Sequence, residues 1–248
     1  MELFDRKLWL QNQTRYSQFA EHSFLYQEVA NRMVEDVLIY KHKFSRVLII
    51  GDKGNFIAKR LCELNYDCRF LVSQWQNIIF DEEFLPFKYN SFDLVLSIFS
   101  LQFVNDVVNF LQQIKSLMRQ DGLFLASFCG EENLTELFRA VNIAEDRLYG
   151  GVSPRMPPTI NLQTATSLLS KVKFLSPVSS LDNICIEYDA VTDLLYDLKI
   201  MGFANILRKR SSRMVSRRFV QAIIENYPQN SIGNYDANFA IVNIAGRK

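Results

Sequence analysis

Apolar residues fill positions 47–50 without a break. The run is too short for a buried helix and suits a buried parallel strand. Two glycines and three polar residues follow, Gly51-Asp52-Lys53-Gly54-Asn55. Apolar positions then return at helical spacing, with Ile57 and Leu61 on one face and Lys59 and Arg60 on the other. Strand, glycine turn and helix make the first unit of a doubly wound α/β domain, with the turn at the strand's carboxyl end, where such domains bind ligands. Glycine takes φ > 0 and admits close approach, and the free amides of a helix start favour negative charge. The dinucleotide fingerprint G-x-G-x-x-G is incomplete, so the segment reads equally well as an ordinary βα turn.

Upstream, Leu25, Val29, Met33 and Val37 recur every four residues, which predicts a helix over 15–40. Downstream, 66–72 is a candidate second strand and 77–80 a weaker third. Pro86 marks a turn at 85–87. The strongest strand pattern is 92–99. An amphipathic helix over 103–118 follows, then a turn at Asp121-Gly122, a strand over 123–128, and a helix over 131–147 with Glu131 and Glu132 in its first turn. This alternation predicts a parallel sheet. Past a Gly- and Pro-rich loop at 149–158, the pattern predicts a helix at 161–171, strands at 173–178 and 183–188, helices at 190–202 and 212–226, and a terminal strand at 239–244.

The 248 residues are 48% hydrophobic, enough for one large domain with a real core. The expected layout is a helical cap (1–44), core βα units (45–147), a loop, strand and helical insertion (148–235) and a terminal strand (236–248). A net charge of +1 points to neither nucleic acid nor a membrane surface, and no apolar run has the length of a membrane span. The four cysteines lack C-x-x-C spacing and there are only two histidines, so no metal site is expected. The N-terminus is charged throughout, and reduced thiols fit a cytoplasmic protein.

Leu85-Pro86-Phe87, Ser91-Phe92-Asp93-Leu94-Val95, Leu101-Gln102-Phe103-Val104-Asn105-Asp106 and Asp121-Gly122-Leu123-Phe124, in this order and spacing, resemble the class I S-adenosylmethionine-dependent methyltransferases of type 11. Phe4-Asp5-Arg6, Gly150-Gly151-Val152-Ser153-Pro154, Asp197-Leu198-Lys199-Ile200-Met201-Gly202 and Gly246-Arg247-Lys248 are similar to the mitochondrial complex I assembly-factor methyltransferases and their bacterial relatives. The malonyl-carrier-protein methyltransferases of biotin synthesis are more distant cousins. The resemblance implies a Rossmann-like, doubly wound, mostly parallel sheet of seven strands with the last one antiparallel. It implies S-adenosylmethionine as cofactor and a protein or acyl-carrier-protein substrate, with a complex I subunit the best biological guess. Modification of an arginine, by methylation or by hydroxylation, belongs to that branch.

The chain departs from the family at its anchors. Ile49 stands where an acid precedes the turn, and Gly51, Lys53 and Asn55 stand at the G-x-G-x-G positions. Ser73 and Gln74 replace the acid that grips the ribose, while Asp81 matches the acid facing the adenine. By resemblance, Gly51, Asp52, Gly54, Ser73, Gln74, Asp81, Glu82 and Ser97 are the candidate cofactor-binding residues; no catalytic residue stands out. Each also reads blandly, as turn glycine or solvated loop acid, and Lys53 is expected to be solvated. Arg155 is a candidate substrate contact. Arg213 and Arg217, in the basic run that begins at Arg208, are candidates for an acidic protein partner, against the simpler reading of a solvated face. With two anchoring acids missing, the alternative is a catalytically inactive pseudo-methyltransferase serving as a binding or assembly factor.

Overall fold

The computed structural model describes residues 2–16, 23–40, 43–72 and 80–248. Its strands are β1 (Arg46–Ile50), β2 (Arg69–Val72), β3 (Phe92–Ile98), β4 (Met118–Cys129), β5 (Leu175–Tyr188) and β6 (Tyr235–Arg247). Its helices are α1 (Arg6–Tyr16), α2 (Phe24–Ile39), α3 (Phe56–Glu63), α4 (Val107–Leu117), α5 (Thr135–Tyr149), α6 (Leu162–Lys171), α7 (Val191–Ile200) and α8 (Arg217–Asn226). The six strands form one sheet in the order β2-β1-β3-β4-β6-β5. The first four run parallel, and β6 lies antiparallel between β4 and β5.

The unbroken apolar run at 47–50 is explained by helices on both faces of the sheet. Val47 and Ile49 point to one side, packed with Leu94, Leu96, Leu123 and Leu125 under α2, α3, α5 and α8. Leu48 and Ile50 point to the other, with Val95, Phe124 and Ala126 under α4 and α6. A strand covered on both faces needs apolar residues at every position. The chain steps from β1 to β2 on one side and later to β3 on the other. This opens a switch point at the carboxyl ends of β1 and β3.

Several expectations change. The sheet has six strands among the described residues, not seven, and the third strand expected at 77–80 lies, apart from Phe80, outside them. Of the helix expected over 15–40, residues 24–39 are α2 and residues 15 and 16 end a separate first helix, α1, while 17–22 lie outside the described residues. The two strands expected at 173–178 and 183–188 are the single strand β5, whose pairing with β6 runs through Asp182↔Ile241 and Asn183↔Ala240. Helix α5 starts at Thr135, so Glu136, rather than Glu131 or Glu132, meets its dipole. Helix α8 starts at Arg217, so Arg213 sits in the segment ahead of it.

The N-terminal segment is strapped over the switch point. Phe4 bridges Leu207, the Asp5 N–H donates to the Ile206 carbonyl at 2.8 Å, and the Arg208 N–H donates to the Leu3 carbonyl at 2.9 Å. Phe4, Trp9, Phe103, Ile206 and Leu207 form a small buried cluster there.

Candidate functional site

The turn after β1 is held by its own carboxylate. Asp52, 1% exposed, accepts the amides of Ile57 at 2.9 Å and Ala58 at 3.1 Å, capping α3, and receives the Tyr26 hydroxyl at 3.1 Å. The Tyr26 oxygen in turn accepts the Lys53 amide at 2.7 Å. Burial raises the Asp52 carboxyl to about 6, against the lowering effect of these hydrogen bonds. Gly51 has φ +82, and a Cβ there would lie 2.2 Å from the Ile98 carbonyl oxygen of β3. No side chain fits at that position.

Lys53 is buried, not solvated as the sequence suggested. It is 6% exposed, and its ammonium donates to the Met201 carbonyl. A Cβ at Gly202 would lie 2.7 Å from Lys53 Nζ and 3.2 Å from Gln13 Nε2, so both side chains end at this glycine. Burial lowers the Lys53 pKa to about 7, partly opposed by the negative charge of Glu82.

The acids at 81 and 82 are gathered by α1. Arg6 donates to Asp81 from Nε at 3.0 Å and from Nη2 at 2.7 Å, pairs with Glu82, and donates from Nη1 to the Phe103 carbonyl at 2.8 Å. Burial works against the Arg6 charge, but Glu82 and Asp81 more than compensate, so its pKa is raised. Glu82, 1% exposed, also receives the Trp9 indole N–H at 3.1 Å and the Ser100 hydroxyl at 3.1 Å. Trp9 lies on Phe103, ring centroids 4.3 Å apart. Ser97, the next-to-last residue of β3, has a buried Oγ with no partner, and the same holds for Asn55 Oδ1 in the turn and for Asn12 Nδ2 and Gln13 Nε2 on α1.

An apolar cavity of about 260 Å³ lies on the far side of Phe103, the residue whose carbonyl Arg6 engages. Phe103 and Phe203 line it, with Leu134, Phe138, Leu198 and Ile206, and Gln102, Cys129 and Asn133 bring in polar atoms. Gln102 Oε1 accepts the Cys129 amide at 2.7 Å, and burial pushes the Cys129 thiol up to about 12, so it is a neutral thiol and no nucleophile.

Of the candidate residues, Gly51, Asp52, Gly54 and Ser97 meet at the switch point, and Arg6 ties Asp81 and Glu82 to α1. Ser73 and Gln74 lie outside the described residues. Arg155 lines the apolar cavity, donates to Glu145 at 2.6 Å and stacks on Phe219 at 4.9 Å. Arg213 is exposed and lies over the Tyr149 ring at 4.6 Å, and Arg217 is exposed at the start of α8. Arg208 and Arg210 of the same basic run pair with Glu2 and Asp5. Sequence reasoning missed Trp9, Gln13, Tyr26 and Ser100. Arg6 stood in plain view within Phe4-Asp5-Arg6, but nothing local says that it reaches residue 81. Among the described residues, no helix is long and apolar enough to cross a membrane.

Residues 59–126 match the type 11 methyltransferase domain family. Along all of this chain and 78% of its own length, the mitochondrial arginine-hydroxylase NDUFAF5 of Mus musculus is 29% identical. A malonyl-[acyl-carrier protein] O-methyltransferase of Gallionella capsiferriformans is 22% identical over 97% of this chain and 90% of its own. Among solved structures, the YcgJ protein of Bacillus subtilis superposes with a TM-score of 0.53 at 16% identity, covering 88% of this chain and 97% of that one. Strand order, matched domain and structural likeness together support a protein of the class I S-adenosylmethionine-dependent methyltransferase fold, similar over its whole length to the NDUFAF5 arginine-hydroxylases.

Proposed function

We propose that the chain holds S-adenosylmethionine over its glycine turn and acts on a protein substrate seated at the neighbouring apolar cavity, in the maturation of a respiratory complex I subunit. One observation carries the reading: a turn too tight for a Cβ coincides with buried polar atoms that lack partners. Asn12 Nδ2 and Gln13 Nε2 suit the carboxylate of a methionine moiety, Asn55 Oδ1 suits its ammonium, and Ser97 Oγ suits either. Asp81 would take the adenine amino group and Ser73 or Gln74 the ribose hydroxyls, as the family resemblance implies. Bound there, the cofactor supplies an activated methyl group at its sulfonium. The chain's own part is to align the reacting atoms and exclude water, which such chemistry chiefly needs.

The protein substrate is supported by the likeness to arginine-hydroxylases along the whole chain; the weaker likeness to a carrier-protein methyltransferase makes a carrier protein the lesser choice. Exposed Arg213 and Arg217, flanking exposed Met214 and Val215, suit an acidic partner surface. A second reading, an assembly factor without catalysis, is favoured by the buried Lys53.

Calorimetric titration of the full chain with S-adenosylmethionine tests the proposal. With two charge-assisted anchors replaced, binding should be roughly 30- to 1,000-fold weaker than in a relative with the full motif. Absence of any heat of binding at millimolar cofactor would leave the assembly-factor reading.

A further inference from the structure

We infer that the cavity beyond Phe103 is a specificity pocket for one large, uncharged apolar side chain of the protein substrate, a neighbour of the residue that reacts. The inference rests on the substrate part of the proposed function and deepens it. Residues 201–203 are a wall between the glycine turn and the cavity. On one side, the Met201 carbonyl and Gly202 meet Lys53 of the turn. On the other, Phe203 lines the cavity, its ring centroid 5.3 Å from that of Phe99 and 5.9 Å from that of Phe103. These rings screen a side chain seated in the cavity from the turn, so that side chain is not the one that reacts there. The mouth opens at the surface between the end of α7 and the loop 149–158, where exposed Lys199 and Met156 line it. Glu145 fixes that loop, accepting the Ser153 amide at 2.8 Å, the Ser153 hydroxyl at 2.6 Å and Arg155 Nη2 at 2.6 Å.

Volume and charge select the occupant. An apolar cavity of about 150 Å³ already takes a benzene ring. The 260 Å³ here therefore holds a leucine or phenylalanine side chain, and it falls below the roughly 300–1,000 Å³ of pockets that enclose a whole small ligand. Among the described residues, the charged side chains that line it are Arg155 and Lys199, both cations. Glu145, the carboxylate that pairs with Arg155, does not line it. Gln102, Asn133 and the neutral Cys129 thiol bring in polarity without charge. A lysine or arginine side chain inserted there would leave water and find no carboxylate in exchange. A leucine or phenylalanine side chain gains by leaving water.

The test compares three probes that share a neutral backbone and differ only in side chain: N-acetyl-phenylalaninamide, N-acetyl-leucinamide and N-acetyl-argininamide. Each is titrated into the full chain carrying methyl-labelled methionine, and the Met156 methyl resonance, assigned through Met156→Leu, reports on the mouth of the cavity. The phenylalanine and leucine amides should shift that resonance saturably, and the arginine amide should need at least roughly tenfold more. Ala204→Trp, which fills the cavity from its wall, should abolish the response; Ala204→Leu serves if the first variant does not fold. An arginine amide that acts at the same concentration as the others, or a lower one, would overturn the inference and leave the cavity as the substrate's seat. A response that persists unchanged in the filled variant, or no response to any probe, would overturn both the inference and that seat. None of these outcomes involves the cofactor, whose binding is measured by its own titration.

Discussion

The Arg6 guanidinium meets the Asp81 carboxylate through Nε at 3.0 Å and Nη2 at 2.7 Å, joining the first helix to a loop at the sheet's carboxyl edge. The Arg6 side chain is 9% exposed and Glu82, its other partner, 1%. Removing the guanidinium strands buried carboxylates, which costs far more than an ion pair gains. Arg6→Ala should therefore lose about 3–5 kcal/mol of stability in urea unfolding. A loss below about 1 kcal/mol, the usual size for a solvated pair, would show that α1 is not docked this way.

Two glycines with similar positive φ should respond very differently to alanine. At Gly51 (φ +82) the new Cβ would strike the Ile98 carbonyl oxygen at 2.2 Å; at Gly150 (φ +70) it meets nothing within 4 Å. Gly150→Ala should cost about 1 kcal/mol, the left-handed penalty alone. Gly51→Ala adds a backbone clash in the core and should exceed about 3 kcal/mol or prevent folding. Equal melting temperatures for the two variants would contradict the packing of the turn on β3.

The pH dependence of stability should carry two opposed limbs from neighbouring residues. Asp52 keeps its proton to about 6 in the native state but loses it near 3.8 when unfolded. Between those values the native state binds the extra proton, so stability falls as pH rises, by about 3 kcal/mol in all. Lys53 titrates at about 7 when folded and 10.5 when unfolded. Between those values the unfolded state binds the extra proton, so stability rises with pH. Glu82 is the charge facing Lys53 and moderates this limb. Other carboxylates add slopes of their own. The check is therefore a difference, wild type minus Asp52→Asn for the lower limb and wild type minus Lys53→Met for the upper. Flat difference curves would mean that neither group is desolvated as described.

The sheet was legible because its signal is local. Val47 to Ile50 must be apolar at every position when helices cover both faces, and the helices repeat at their own period. Strand β5 was misread because it is an edge strand. Its Pro177 and Asp182-Asn183 look like turns, yet a half-exposed edge tolerates both, and β6 supplies a continuous partner. The site was legible only in outline. The glycine turn and Asp81 announce themselves by pattern. What surrounds them comes from far along the chain: Arg6 and Gln13 from the first helix, and Met201 and Gly202 from beyond α7. Lys53 looked solvated because a turn lysine usually is, and only those distant segments bury it. The acid missing at Ile49 has a local substitute that the spacing did not reveal, since the Asp52 carboxylate orders the turn from within it.

The basic run offers a narrower target than its composition suggests. Arg208 and Arg210 are tied to Glu2 and Asp5, while Arg213 and Arg217 remain exposed. Reversing the latter two to glutamate should slow association with an acidic partner and reduce its salt dependence, without a change in melting temperature beyond that of a surface substitution. Unchanged association kinetics by surface plasmon resonance would assign this face to solvent.

In the proposed function, cofactor lies over the turn from Gly51 to Asn55. The direct measurement is a crystal structure of the full chain grown with saturating S-adenosylhomocysteine. Density is expected against Gly51, with its amino-acid end meeting Asn55, Ser97 or the side-chain amides of Asn12 and Gln13, and with Lys53 moved from its place at Met201. Density elsewhere, or an unaltered Lys53 over a turn without ligand, would contradict it.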